Sequence, residues 1–289
     1  MTFTGTFTAL ITPFNTDGSV DYSALRAFVQ WQVANGVEGL VPVGTTGESP
    51  TLEFHEHIKV ITATVEAAAG KVDIIAGTGA NSTAEAIELT RAVLQSGVGA
   101  TLQVTPYYNK PNAEGLFRHF AAVADLGLPV VLYNVPGRAA KEIPLDVVVR
   151  LASHPNIAAI KEAGGSVDRV NAIKDACELP VLSGDDSLTL PMISVGASGV
   201  ISVASNVIPK EMSALVRLAL ANNMADAREL HRTYYPLFRD LFIDTNPIPV
   251  KTALALMGRI DPVFRLPLCE PSDKVRDQIS HTLHSLNLM

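Results

Sequence analysis

Eight short apolar runs recur along the first three quarters of the chain: Gly5–Ile11, Gly39–Val43, Val72–Ala76, Thr101–Thr105, Val130–Tyr133, Ile157–Lys161, Val181–Ser183 and Gly199–Val203. Several are apolar at every position rather than at alternate ones, the pattern of parallel strands buried on both faces. Segments of helical length and period lie between them, among them Tyr22–Asn35, Glu53–Ala69, Ser82–Gln95 and Ala113–Ala124. Helix punctuation agrees with this register. Asp21 and Ser82 stand at N-cap positions, and Ser82 and Glu85 have capping-box spacing. Gly36, Gly70 and Gly97 fall where helices would end.

Eight strand–helix units in about 220 residues predict a (β/α)8 TIM barrel, although periodicity alone does not distinguish a closed barrel from an open sheet. The Rossmann alternative is weak, because Gly77-Thr78-Gly79-Ala80-Asn81 follows a strand but lacks the third glycine of that fingerprint. Strand signals end near Asn222. The expected organisation is a barrel over residues 1–222 and a C-terminal helical extension over 223–289, with breaks near Asn246–Pro249 and Cys269–Ser272.

Composition narrows the function. Of 289 residues, 47% are hydrophobic and 18% charged, enough for a large core, and the formal net charge is −7. No Lys/Arg-rich run is present, so neither nucleic acid nor an anionic membrane is an expected partner. The two cysteines lack metal or redox spacing, which fits a reduced, cytoplasmic setting without a disulfide. No apolar run approaches the ~18 residues needed to span a bilayer, and no signal-peptide pattern opens the chain. The seven histidines are scattered without ligand spacing, so no metal is expected. Trp31 falls on the apolar stripe of the first helix and is expected in the core.

In a closed barrel the C-terminal strand ends converge on one rim. Here they carry Gly44-Thr45-Thr46-Gly47-Glu48, Thr105-Pro106-Tyr107-Tyr108-Asn109, Tyr133-Asn134-Val135-Pro136-Gly137-Arg138, Lys161-Glu162, Ser183-Gly184-Asp185-Asp186 and Ile201-Ser202-Val203. Lys161 closes an apolar run and would share a face with Ile157 and Ala159, with Glu162 turned away. An apolar setting disfavours the ammonium and leaves an amine able to form a Schiff base. Taken alone, a strand-end lysine would snorkel to solvent or pair with an acid. The convergent hydroxyls change the balance, because carbinolamine and enamine chemistry needs proton relays, which Tyr133, Thr45 and Tyr107 or Tyr108 could supply. Each hydroxyl also has an ordinary alternative, aromatic packing for the tyrosines and turn capping for Thr45 and Thr46. Arg138 could clamp a carboxylate in bidentate fashion or lie free on the surface. Asp185 and Asp186 are adjacent, would splay apart, and make a poor acid/base pair.

At these residues the chain resembles the dihydrodipicolinate synthase family, within the N-acetylneuraminate lyase superfamily. The resemblance runs nearly end to end, through Gly44–Glu48, Gly77–Asn81, Val104–Asn109, Tyr133–Arg138, Ile160–Ala163, Ser183–Asp186, Gly199–Val203 and Asn246–Lys251. It implies condensation of pyruvate with L-aspartate 4-semialdehyde, the first committed step of diaminopimelate and lysine biosynthesis, with no cofactor beyond the imine. Lys161 would carry the imine, and Tyr133, Thr45 and Tyr108 would relay protons, Tyr108 reaching in from a neighbouring subunit. Thr46 would bind the pyruvate carboxylate, Ile201 would face pyruvate through its backbone, Gly184 would line the site and Arg138 would hold the semialdehyde carboxylate. The family's assembly implies a homotetramer, a dimer of dimers. Its lysine-inhibition pocket maps onto Ser49, His57, Asn81, Glu85 and Tyr107. Pro50 and Phe54 depart from some inhibited members there, which predicts weakened or absent inhibition. Two other readings are a lyase that releases pyruvate from a 2-keto-3-deoxy sugar acid or N-acetylneuraminate, and a non-catalytic keto-acid-binding homologue. Arg138 disfavours the lyase, and the full lysine and hydroxyl set disfavours the binding module.

Overall fold

The computed structural model describes residues 1–289. Eight parallel strands form a closed barrel in sequence order: β1 (Gly5–Ala9), β2 (Gly39–Val41), β3 (Asp73–Gly77), β4 (Ala100–Val104), β5 (Val130–Asn134), β6 (Ile157–Glu162), β7 (Val181–Ser183) and β8 (Gly199–Ser202). Closure is made by β1 against β8, in register from Gly5↔Gly199 to Thr8↔Ser202. The seam needs glycine, since a Cβ on Gly199 would lie 2.1 Å from the Gly5 carbonyl oxygen. Hydrogen-bonding the last strand to the first leaves no edge exposed.

Strand and helix centres agree with the periodicity, and the ends differ for local reasons. β2 stops at Val41, because Pro42 has no N–H to donate and Val43 adopts φ 56, a rare conformation for a β-branched residue. The chain thereby turns sharply just before Gly44–Glu48. Asp21 caps the first helix (Tyr22–Ala34) through Ser23 and Ala24 N–H groups. Ser82 accepts from Glu85 N–H at 3.5 Å without a return bond, whereas a reciprocal capping box forms at Glu53 and Glu56, where Glu53 N–H reaches Glu56 at 3.1 Å. The third helix ends at Val93, so Gly97 closes a later turn rather than the helix itself. Trp31 is only partly buried, stacked on Phe28 and covered by the Arg259 guanidinium 3.7 Å from its ring centroid.

After Asn222 come helices Met224–Asp240, Ile248–Leu256 and Asp273–Ser285. Their apolar residues Leu237, Phe238, Val250, Leu254, Ile279 and Leu283 are buried in one core continuous with that of the barrel. Asp240, almost fully buried, accepts hydrogen bonds from Gln278 and Thr282 and joins the first of these helices to the last. No helix is long and apolar enough to cross a membrane.

Candidate active site

The rim residues are placed by strand alternation. Lys161, the penultimate residue of β6, faces inward and is only 6% exposed, while Glu162 faces the helix layer. β5 runs alongside with Tyr133 opposite Lys161 and Asn134 opposite Glu162. The Lys161 Nζ therefore sits over the Tyr133 ring, 4.2 Å from its centroid, a cation–π distance. Tyr133 is held from behind, its carbonyl accepting from both Thr105 N–H at 2.9 Å and Thr105 Oγ1 at 2.8 Å.

The β7 end completes the surroundings of the lysine. Burial pushes the Asp185 carboxyl up, while the Lys161 charge and the Gly165 N–H draw it down. Lys161 thus has a carboxylate in electrostatic reach that its own strand does not reveal. Asp186 points elsewhere: fully buried, it accepts from Ser202 Oγ at 2.5 Å and Ala204 N–H at 2.8 Å, and desolvation raises its pKa to about 6. Gly184 is a contact residue by necessity. A Cβ there would fall 2.5 Å from the Ala163 Cβ and 3.1 Å from the Lys161 Cε. Gly184→Ala is expected to displace the amine and lower kcat by about tenfold or more; wild-type turnover in a folded Gly184→Ala protein would refute the crowding.

The Gly44–Glu48 loop is tied on several sides. Thr12 Oγ1 donates to the Gly47 carbonyl at 2.7 Å. Thr46, 3% exposed, accepts from Asn246 Nδ2 at 2.9 Å. Glu48 meets Lys251 Nζ at 2.5 Å with both side chains fully buried. Arg138, on the short helix Pro136–Ala139, donates to the Asn246 carbonyl at 3.0 Å. One residue of the tail thus touches both Thr46 and Arg138.

Thr45, Tyr133 and Arg138 line one cavity of about 430 Å³. The same cavity extends to Ser49, Pro50, Phe54, His57, Glu85 and Tyr107. Asn81 lies next to it, donating to the Tyr107 carbonyl at 3.2 Å. His57 is held by the Gly77 carbonyl at 2.7 Å, and burial lowers its pKa. Lys161 packs against the Tyr133 ring that lines this cavity, and Ile201 is wholly buried on β8. Tyr108 is not brought to Lys161 within this chain. It adopts φ 72 and is 91% exposed, on a loop pinned by Asn109 Nδ2 to the Asn81 carbonyl at 2.8 Å.

Asn246, Lys251, Asn134, Glu162 and Thr105 are structural partners whose roles have no local signature; Asn246 and Thr46 are two hundred positions apart. No group of three or more His, Cys, Asp or Glu side chains is arranged to hold a metal.

The model of the dihydrodipicolinate synthetase family matches residues 2–286. A 4-hydroxy-tetrahydrodipicolinate synthase of Koribacter versatilis is 51% identical over 275 residues, covering 93% of this chain and 91% of that protein. One of Methanococcus maripaludis is 46% identical over 287 residues, 99% of each. Among solved structures, the synthase of Methylacidiphilum fumariolicum superposes with a TM-score of 0.97 at 51% identity, covering 99% of this chain and 96% of that one. The dihydrodipicolinate synthase of Acinetobacter baumannii in complex with pyruvate gives 0.98 at 44% identity over the full length of both. The chain belongs to the dihydrodipicolinate synthetase family.

Proposed function

We propose that this chain is a 4-hydroxy-tetrahydrodipicolinate synthase, a lyase of the class I aldolase type acting on pyruvate and L-aspartate 4-semialdehyde in diaminopimelate and lysine biosynthesis. The observation that carries the chemistry is the buried Lys161 amine against the Tyr133 ring at the C-terminal barrel rim; the relatives carry the substrates.

In this reading Lys161 adds to the pyruvate keto carbon, and the carbinolamine expels its oxygen as water. A methyl proton leaves to form the enamine, which attacks the aldehyde carbon; the aldehyde oxygen takes up a proton and becomes a hydroxyl. The substrate's own amine then attacks the imine carbon, and Lys161 departs as the free amine while the ring closes. Tyr133, Thr45 and the Tyr108 of a neighbouring copy pass the protons. Because Thr46 Oγ1 accepts from Asn246, its hydroxyl hydrogen is free to donate to the pyruvate carboxylate. Arg138, oriented by the Asn246 carbonyl, has further donors for the semialdehyde carboxylate. Ile201 and Gly184 form the pyruvate-side wall. The chemistry calls for no metal or organic cofactor.

The organisation follows the same reading. The Tyr108 side chain, 91% exposed, is free to reach a second copy, which supports its place in a neighbouring site. The assembly is a homotetramer built as a dimer of dimers, located in the cytoplasm. Residues 1–222 form the catalytic barrel and 223–289 the extension that braces its mouth. Tyr108→Phe is expected to keep the assembly and lower kcat by about 10²-fold; full turnover in Tyr108→Phe would remove it from the relay.

Ser49, His57, Asn81, Glu85 and Tyr107 form the regulatory end of the cavity. Pro50 and Phe54 place apolar surface where a lysine ammonium or its carboxylate would need polar partners. L-lysine is therefore expected to inhibit weakly or not at all, and a submillimolar inhibition constant would contradict this.

Borohydride reduction in the presence of pyruvate tests the reaction class. A pyruvate-derived mass is expected on the peptide containing Lys161, and an unlabelled protein would exclude the imine. Turnover of pyruvate with aspartate semialdehyde, measured against cleavage of N-acetylneuraminate and 2-keto-3-deoxy sugar acids, tests the substrates; faster sugar-acid cleavage would overturn the assignment.

A further inference from the structure

Behind the inward pair Tyr133 and Lys161 stands an outward pair, Asn134 and Glu162, each the next residue along the same two strands and each fully buried. Asn134 Nδ2 donates to both Glu162 oxygens, at 2.9 and 3.0 Å. Gly164 N–H donates to Oε1 at 2.8 Å, and the Arg169 guanidinium lies 3.7 Å from Oε2. Asn134 Oδ1 in turn accepts from Ile143 N–H at 3.0 Å, and Arg169 also donates to the Ile143 carbonyl. Every group hydrogen-bonded to the Glu162 side chain is a donor, so the cluster suits a carboxylate, Asn134, Gly164 and Arg169 opposing the rise that burial gives its pKa. Gly164 packs against it: a Cβ there would lie 2.7 Å from Glu162 Oε1.

The need for such a device is visible in the β5/β6 pairing. The register shifts between Val130 and Val131, with Val130 opposite Ile157 and Val131 opposite Ala159. Ala158 is thus the extra residue of a bulge three positions before Lys161. A bulge loosens local pairing, and a one-residue slip of β6 would turn Lys161 to the helix layer and Glu162 into the barrel.

We infer that Asn134 and Glu162 are positioning residues for the Schiff-base step: their buried bidentate pair locks β6 to β5 beyond the bulge and so holds the Lys161 amine at its distance from Tyr133. Neither touches substrate. This inference rests on the imine-forming role proposed for Lys161.

The test is a swap of partners, read by the initial rate of borohydride trapping at saturating pyruvate. Glu162→Gln sets an amide NH2 against donors, and Asn134→Asp sets two carboxylates face to face. Each single variant is expected to trap pyruvate about tenfold or more slowly than the parent protein, since small displacements of reacting groups are costly. The double variant Glu162→Gln/Asn134→Asp restores complementarity, with the new amide on β6 donating to the new carboxylate on β5 and its oxygen accepting from Gly164 N–H. Its trapping rate is expected to return to within about threefold of the parent. Thermal midpoints measured alongside separate this from a merely structural role, which would lower the midpoint and leave the trapping rate unchanged. Single variants that trap at the parental rate, or a folded double variant as slow as the singles, would overturn the inference. Failure of the unmodified protein to trap pyruvate would instead overturn the proposed function.

Discussion

Lys161→Ala is expected to lower kcat/KM by on the order of 10³-fold, a loss of about 4 kcal/mol of transition-state stabilisation, and to eliminate the borohydride-trapped adduct. The reason is specific to covalent catalysis. Without the amine there is no imine to act as electron sink for the methyl carbanion, and neither Tyr133 nor Thr45 can replace it. The fold should not suffer. Lys161 is buried against Tyr133 without a hydrogen-bonded acid partner, so its removal breaks no hydrogen bond, although Asp185 loses the nearby charge that draws its carboxyl down. The Lys161→Ala protein should therefore denature at a midpoint close to the parental one while losing its activity. Steady-state kinetics and a denaturation curve check both halves. Activity within tenfold of the parent would sink the covalent mechanism.

The second large effect concerns stability and lies at the other lysine of the barrel mouth. Lys251 and Glu48 form an ion pair with both side chains fully buried. Burial pulls the Lys251 pKa down, and Glu48 opposes that shift through its charge and its hydrogen bond. The ammonium also lies 4.2 Å from the Phe14 ring centroid and 5.2 Å from that of Phe264. Glu48→Ala would leave a cation among aromatic rings without its counter-ion, at a cost of about 3–5 kcal/mol. It would also free the loop that carries Thr45 and Thr46, since Glu48 itself holds φ 56. Chemical denaturation should show the loss directly. Replacing both members by methionine is expected to be near neutral in stability, because a well-packed apolar pair removes both desolvation costs. A Glu48→Ala protein as stable as the parent would refute the role of the pair.

The comparison of Lys161 with Lys251 bears on how far local reasoning reaches. Lys161 is conspicuous in the chain because it ends an apolar strand-length run, and alternation alone sets it on the face opposite to Glu162. Lys251 follows Pro-Ile-Pro-Val in a tail with no strand pattern, and nothing near it in sequence announces a buried partner. Glu48 is two hundred and three residues away. Asn246 behaves similarly: its contacts to Thr46 and Arg138 exist because the tail returns across the barrel rim. Asp185 reads in the chain as one of two splayed acids, yet closure of β7 against β6 brings its charge to Lys161. Tyr108 shows the opposite limit, because even the folded chain leaves it in solvent.

The strands, most helix boundaries, the opposite facing of Lys161 and Glu162 and the clustering of reactive groups at strand ends follow from the sequence by itself. They depend on period-two and period-3.6 patterns, which are local and survive without knowledge of the partners. Barrel closure, the Asn134–Glu162 and Glu48–Lys251 pairs, the double grip of Asn246 and the burial of Lys161, turned inward against Tyr133, were decided only by the tertiary structure. Each joins groups far apart in the chain, and their hydrogen-bond geometry and desolvation arise only once the elements pack.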